Sequence, residues 1–66
     1  MKINKRKVKF LMGSKLMTQL ALAEASGVSR GTINMALLKG SCSIKTVGKI
    51  AKALGVDPVD IIEIEG

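Results

Sequence analysis

Residues 18–40 read TQLALAEASGVSRGTINMALLKG, and the order of small, branched and helix-ending residues in this stretch decides the fold. Thr18 can cap a helix whose inner face is Leu22 and Ala23, with Leu20 at its margin. Gly27 follows as the left-handed stop that a Cβ would penalise. Ser29 then caps a further helix that runs through Thr32, Ile33, Ala36 and Leu37 and frays at Lys39–Gly40. Only Gly27-Val28-Ser29 separate the two. Short helices joined by so few residues cross steeply, which demands a small residue where the axes approach, a glycine in the turn and a branched apolar plug on the second helix. Gln19, Ala23, Gly27 and Ile33 supply these, at offsets of four, eight and fourteen residues from Gln19. Val28 and Ala36 complete the apolar contact. Arg30, Gly31, Asn34 and Met35 are left on the outer side of the second helix, free to enter a groove.

Outward from this pair, the pattern stays helical. Val8, Leu11 and Met12 fall at helical spacing and predict a first helix over about residues 5–14, with Asn4 as its N-cap and Gly13 a weak point near its end. Ser43 opens a fourth helix in which Val47, Ile50, Ala51 and Leu54 repeat at three and four residues, Lys45, Lys49 and Lys52 hold the opposite face, and Gly55 ends the run. Asp57-Pro58 is a cap followed by proline at a first helical position, predicting a fifth short helix that holds Val59, Ile61 and Ile62. An extended course for Ile61–Ile64 is the alternative. No internal repeat, linker or low-complexity segment interrupts the chain. The expected fold class is all-α: a compact bundle of four to five short helices in a single domain over residues 1–66, with a helix-turn-helix at about 18–38.

Composition narrows the function classes. The 66 residues are 47 % hydrophobic with one proline, too apolar for intrinsic disorder yet without an unbroken apolar stretch of membrane-spanning length. A fold of this size buries only about 60 % of the surface of its unfolded chain, which leaves no room for a water-excluding catalytic cavity. Histidine, tyrosine and tryptophan are absent and no carboxylates cluster outside the acidic tail. General acid/base and metal chemistry therefore lack their usual groups, and no enzyme activity, cofactor, metal or small-molecule substrate is expected. The lone Cys42 cannot staple the fold and reads as a small, unreactive loop residue in a reducing cytosol. The basic start MKINKRKVKFLM is followed only by short apolar pieces with no small-residue cleavage site, so neither a signal peptide nor a membrane anchor is expected.

The net charge is +6, unevenly spread: residues 1–52 hold all eleven cations against Glu24 alone, a sum of +10, while Asp57, Asp60, Glu63 and Glu65 bring residues 53–66 to −4. Along the sequence, one end favours polyanions and the other avoids them. Lys2, Lys5, Arg6, Lys7 and Lys9 crowd the start, and residues 1–4 are a candidate basic arm; solvation alone is the competing role for this run.

Thr18-Gln19 followed by Leu22-Ala23, then Gly27-Val28-Ser29-Arg30 and Thr32-Ile33, resembles the helix-turn-helix of lambda-repressor-like, Cro-type (XRE-type) DNA-binding domains. Ser43, Thr46, Ile50-Ala51, Ala53-Leu54-Gly55-Val56 and Ile61-Ile62 are similar to the family's fourth helix and the approach to its fifth. The likeness covers about residues 8–62. It implies that the third helix lies in the major groove of duplex DNA with its N-terminal residues on base edges, while the second helix points its N-terminus at a phosphate. Under that docking Arg30 suits guanine O6 and N7, Asn34 suits adenine N6 and N7, Met35 suits a thymine methyl, and Gly31 lets the backbone come close. Thr18, Gln19, Ser29 and Thr32 suit phosphate oxygens, with Lys39, Gly40 and Ser41 grazing the DNA backbone beyond them. Thr18 and Ser29 also have the plainer role of helix caps, and a methionine at helical spacing is more often core filler.

Two departures limit the likeness. Many relatives pair an arginine late in the first helix with a glutamate late in the third, where this chain has Met12 and Leu37; an apolar contact is expected instead. The stretch from Ile33 to Gly40 is also one residue longer than the common form.

Val59, Ile61, Ile62 and Ile64 place more branched carbon in the acidic segment 57–66 than one helix face can bury, which predicts a two-fold homodimer through that segment. The competing role for some of them is completion of the monomer core. A dimer would set two recognition helices about 34 Å apart on a near-palindromic operator. The expected function is sequence-specific binding of double-stranded DNA as a small cytoplasmic transcriptional repressor of phage or Cro type. The alternative is a protein-interaction module of the same fold, such as an antitoxin or anti-repressor.

Overall fold

In the computed structural model, which describes residues 1–63, side-chain caps and left-handed glycines divide the chain into α1 (Lys5–Ser14), α2 (Gln19–Ser26), α3 (Arg30–Lys39) and α4 (Ile44–Leu54), followed by a 3-10 turn at Pro58–Asp60. The side-chain oxygens of Asn4, Thr18, Ser29 and Ser43 accept the backbone N–H groups of Lys7, Ala21, Thr32 and Thr46, closing the first turn of each helix. Gly27, Gly40 and Gly55 close α2, α3 and α4 at φ of 74°, 71° and 73°, the region where a Cβ is penalised. The first four of the expected helices are present.

The core is wholly apolar. Val8 and Met12 of α1, Leu22 and Ala23 of α2, Val28 of the turn, Ile33, Ala36 and Leu37 of α3, and Val47, Ile50, Ala51 and Leu54 of α4 form one buried cluster, completed by Ile3 and Ile61. Met12 and Leu37 are both buried within it, so apolar packing occupies the positions where relatives place an ion pair.

The ends of the chain are arranged differently from the helical reading. The expected fifth helix is reduced to the 3-10 turn at Pro58–Asp60, capped by Asp57; Ile61 closes that turn, and the chain then pairs with the N-terminal segment at Ile62 instead of continuing as helix. Ile3 and Ile62 form one antiparallel bridge, and Lys2 and Ser41 form another on the opposite edge of the N-terminal segment. The Asn4 N–H donates to the Ile61 carbonyl at 2.7 Å and the Glu63 N–H to the Lys2 carbonyl at 3.0 Å; the Ile3 N–H donates to the Gly40 carbonyl at 2.9 Å and the Cys42 N–H to the Met1 carbonyl at 3.0 Å. Residues 1–4, read above as a candidate arm, are thus a strap paired along both edges, with Ile3 buried beneath it. Pairing satisfies backbone groups on three segments too short for helices, and the β-branched Ile3 and Ile62 suit extended backbone.

Ile61 requires a correction. Its side chain is 0 % exposed, so it belongs to the monomer core and not to a dimer surface. Val59 is exposed and Ile62 half-buried, while Ile64 lies outside the described residues.

Among the described residues, one non-glycine residue has a left-handed backbone. Leu16 sits at φ 55° with 92 % of its surface exposed. It ends α1 in the position glycine normally fills: the Leu16 N–H donates to the Gly13 carbonyl and the Met17 N–H to the Met12 carbonyl, the paired bonds of a Schellman motif. The left-handed region costs a residue with a Cβ about 1–2 kcal/mol. Replacing Leu16 with glycine is expected to raise the thermal midpoint by roughly 4–8 °C for each kcal/mol relieved. A lowered midpoint in a melt followed by circular dichroism would show that Leu16 makes a contact its exposure denies.

Candidate nucleic-acid interface

The α2–turn–α3 unit is held from inside. Val28 is buried, pinning the turn to the core, and the Gly27 N–H donates to the Ala23 carbonyl at 2.9 Å. Ser26 adds a second tie that the sequence reading missed: its hydroxyl donates to the Ala23 carbonyl at 3.3 Å and accepts the Val28 N–H at 3.2 Å. Ile33, Ala36 and Leu37 face inward from α3. Arg30, Gly31, Asn34 and Met35 are all exposed, a continuous outer strip that Leu38 extends by a further turn.

Hydrogen bonding sorts the polar residues expected to meet an anion. The Thr18 oxygen accepts the Ala21 N–H at 3.1 Å, which leaves the N–H groups of Gln19 and Leu20 in the opening turn of α2 without an intrahelical acceptor. Thr18 is exposed and Gln19 half-buried beside it. The Ser29 hydroxyl accepts the Thr32 N–H at 3.1 Å and donates to the Thr32 Oγ1 at 2.8 Å. The two hydroxyls share one hydrogen bond, so one hydroxyl proton of the pair remains to offer. At the far end of α3 the Gly40 N–H donates to the Ala36 carbonyl at 2.8 Å while the Gly40 carbonyl accepts from Ile3. Gly40 therefore shapes this loop and has no amide free for a ligand, leaving the Lys39 ammonium and the Ser41 hydroxyl as the polar side-chain groups there.

The fold gathers further cations here. A Cβ on Gly40 would lie 3.5 Å from Cδ and Cε of Lys5, so the Lys5 stem crosses the loop that follows α3. Lys5, Arg6 and Lys9, with Asn4 and Glu63, line an open cleft of about 640 Å³. Glu63 arrives there through its backbone bond to Lys2, so charges at opposite ends of the sequence are neighbours in space. Burial pushes the Cys42 thiol above its ordinary range, against a smaller lowering by the terminal ammonium, in keeping with an unreactive loop residue.

An exposed α3 strip behind a buried Val28 turn, with α2 offering free amides, is the arrangement of a groove-entering helix-turn-helix. The model of the helix-turn-helix family matches residues 8–61. The chain belongs to the XRE-type helix-turn-helix family. No match is found among curated proteins or among solved structures. As an XRE-type domain the chain is a DNA-binding regulator, of a family that acts on double-stranded DNA and is not normally enzymatic. Among the described residues, no helix is long and apolar enough to cross a membrane.

Proposed function

We propose that this XRE-type protein is a sequence-specific transcriptional repressor that lays α3 in the major groove. Arg30 and Asn34 read purine edges, Met35 meets a thymine methyl, and Gly31 admits the DNA backbone to close range. Thr18, Gln19 and Thr32 engage phosphates on one side of the groove and Lys39 and Ser41 on the other, with Ser29 fixing Thr32 and Gly40 shaping the loop. The observation that carries this reading is the exposed strip of Arg30, Gly31, Asn34 and Met35 on a helix whose other face is locked into the core. Repression requires only a bound domain that occludes a promoter, and such a domain works on DNA in the cytosol. Pairing of two copies through Val59 and Ile62 would present two α3 helices to a near-palindromic operator. Selection of bound duplexes from a random pool tests the reading: an enriched inverted repeat supports it, and failure to enrich any sequence overturns it. Sedimentation at micromolar concentration tests the pairing, which a purely monomeric species would refute.

Gly31 separates folding from binding. It lies inside α3, and a Cβ there meets nothing within 4 Å. Neither packing nor a positive φ requires glycine at this position in the first turn of α3, although glycine is a poorer helix former than alanine. Gly31→Ala is expected to raise the thermal midpoint and yet weaken DNA binding. Gly48→Ala, equally unobstructed within α4, is expected to raise the midpoint without weakening binding. Unchanged affinity for Gly31→Ala would show that DNA does not approach the backbone there.

A further inference from the structure

The outer strip of α3 changes character along its length. Arg30 and Asn34 offer hydrogen bonds, but Met35 and Leu38, one turn apart on the same side, are 46 % and 68 % exposed. They lie on the exposed side while Ile33, Ala36 and Leu37 fill the core, so much of the apolar surface of both side chains is left uncovered by the fold. Cations frame the pair, with Arg30 at the start of α3, Lys39 at its end and Lys5 across the following loop, and α3 carries no acidic residue.

That frame selects the occupant. A second copy would bring like charges together, whereas a duplex brings phosphates to the rim and presents one apolar group in its major groove, the 5-methyl of thymine. We propose that Met35 and Leu38 together read thymine methyl groups beside the purines met by Arg30 and Asn34, making Leu38 a specificity-determining residue. The inference rests on the DNA-binding reading above and adds the base class recognised by the second half of α3.

The test uses the full chain and the duplex selected from the random pool, with thymines replaced singly by deoxyuridine, which keeps the pairing edge and removes only the methyl. Expected is a loss of about fourfold in affinity at one or two positions of the half-site, the value of one buried methyl-sized group. One of these losses should vanish in Leu38→Ala and another in Met35→Ala, since a missing side chain cannot sense a missing methyl. Leu38 lies outside the core, so its truncation leaves the fold intact, and the deoxyuridine series on the unaltered chain needs no variant. Sequence-selective binding that is indifferent to every deoxyuridine overturns the methyl reading and leaves the DNA-binding role standing. Losses that persist unchanged in both variants assign the methyls to other side chains and overturn the role of Leu38. Absence of sequence-selective binding removes both readings.

Discussion

Replacing Ile61 with alanine is expected to leave the chain largely unfolded at physiological temperature. The side chain is fully buried in the single apolar cluster, and its carbonyl accepts the Asn4 N–H at 2.7 Å, so the residue joins the C-terminal segment to both the core and the N-terminal strap. Truncating a buried isoleucine to alanine costs about 2–5 kcal/mol through lost transfer energy and the cavity left behind. A domain below about 70–80 residues has a total margin of roughly 3–5 kcal/mol. The variant therefore removes most of what holds the native state. Urea denaturation followed by circular dichroism measures the effect, with Val59→Ala as the comparison. Val59 is exposed, so its truncation should move monomer stability by about 0.5 kcal/mol or less. Equal midpoints for the two variants would contradict the burial of Ile61. Any part that Val59 and Ile62 play in dimerisation should appear as a concentration dependence of the melting midpoint.

The second large effect falls on binding. Arg30→Ala is expected to weaken operator affinity by about 1–3 kcal/mol, roughly 5- to 150-fold, and to relax preference at one base pair. Arg30 is exposed at the first position of α3, with Ser29 and not the arginine holding the cap, so fold stability should hardly change. Lys39→Ala should instead weaken operator and random DNA alike and lower the slope of log affinity against log salt by about one. Titration of both variants against both DNAs at two salt concentrations separates a base-reading side chain from a phosphate-binding one. Equal losses on operator and random DNA for Arg30→Ala would reassign it to the phosphates.

Both predictions draw on features with different visibility in the sequence. The helix boundaries were legible because they are local: a side-chain oxygen reaches an amide three residues on, and a left-handed stop needs the residue at that one position. Thr18, Ser29, Ser43, Gly27 and Gly55 identify themselves on this basis. The outer strip of α3 was legible by the same periodicity that buries Ile33, Ala36 and Leu37. Leu38 lies on that strip four residues beyond Asn34, so the signal for it was present and went unused. The pairing of the Ser29 and Thr32 hydroxyls was not legible, since two short polar residues at this spacing serve equally well as caps or as anion donors until their geometry is known.

The amino-acid sequence by itself determined the four helices, the turn at Gly27–Ser29, the apolar core face of each helix and the family, because each depends on spacings within a few residues. The tertiary structure alone decided the fate of the ends. Chain segments far apart in sequence pair their backbones, and those bonds turn a candidate arm at residues 1–4 into a strap, stop the fifth helix at a single 3-10 turn and draw Ile61 into the core. They also bring Glu63 to the cleft lined by Lys5, Arg6 and Lys9, so that one acidic residue of the C-terminal segment meets the basic start of the chain. Backbone amides and carbonyls are identical at every residue, so which of them meet across the fold is settled by packing and leaves little trace in local pattern.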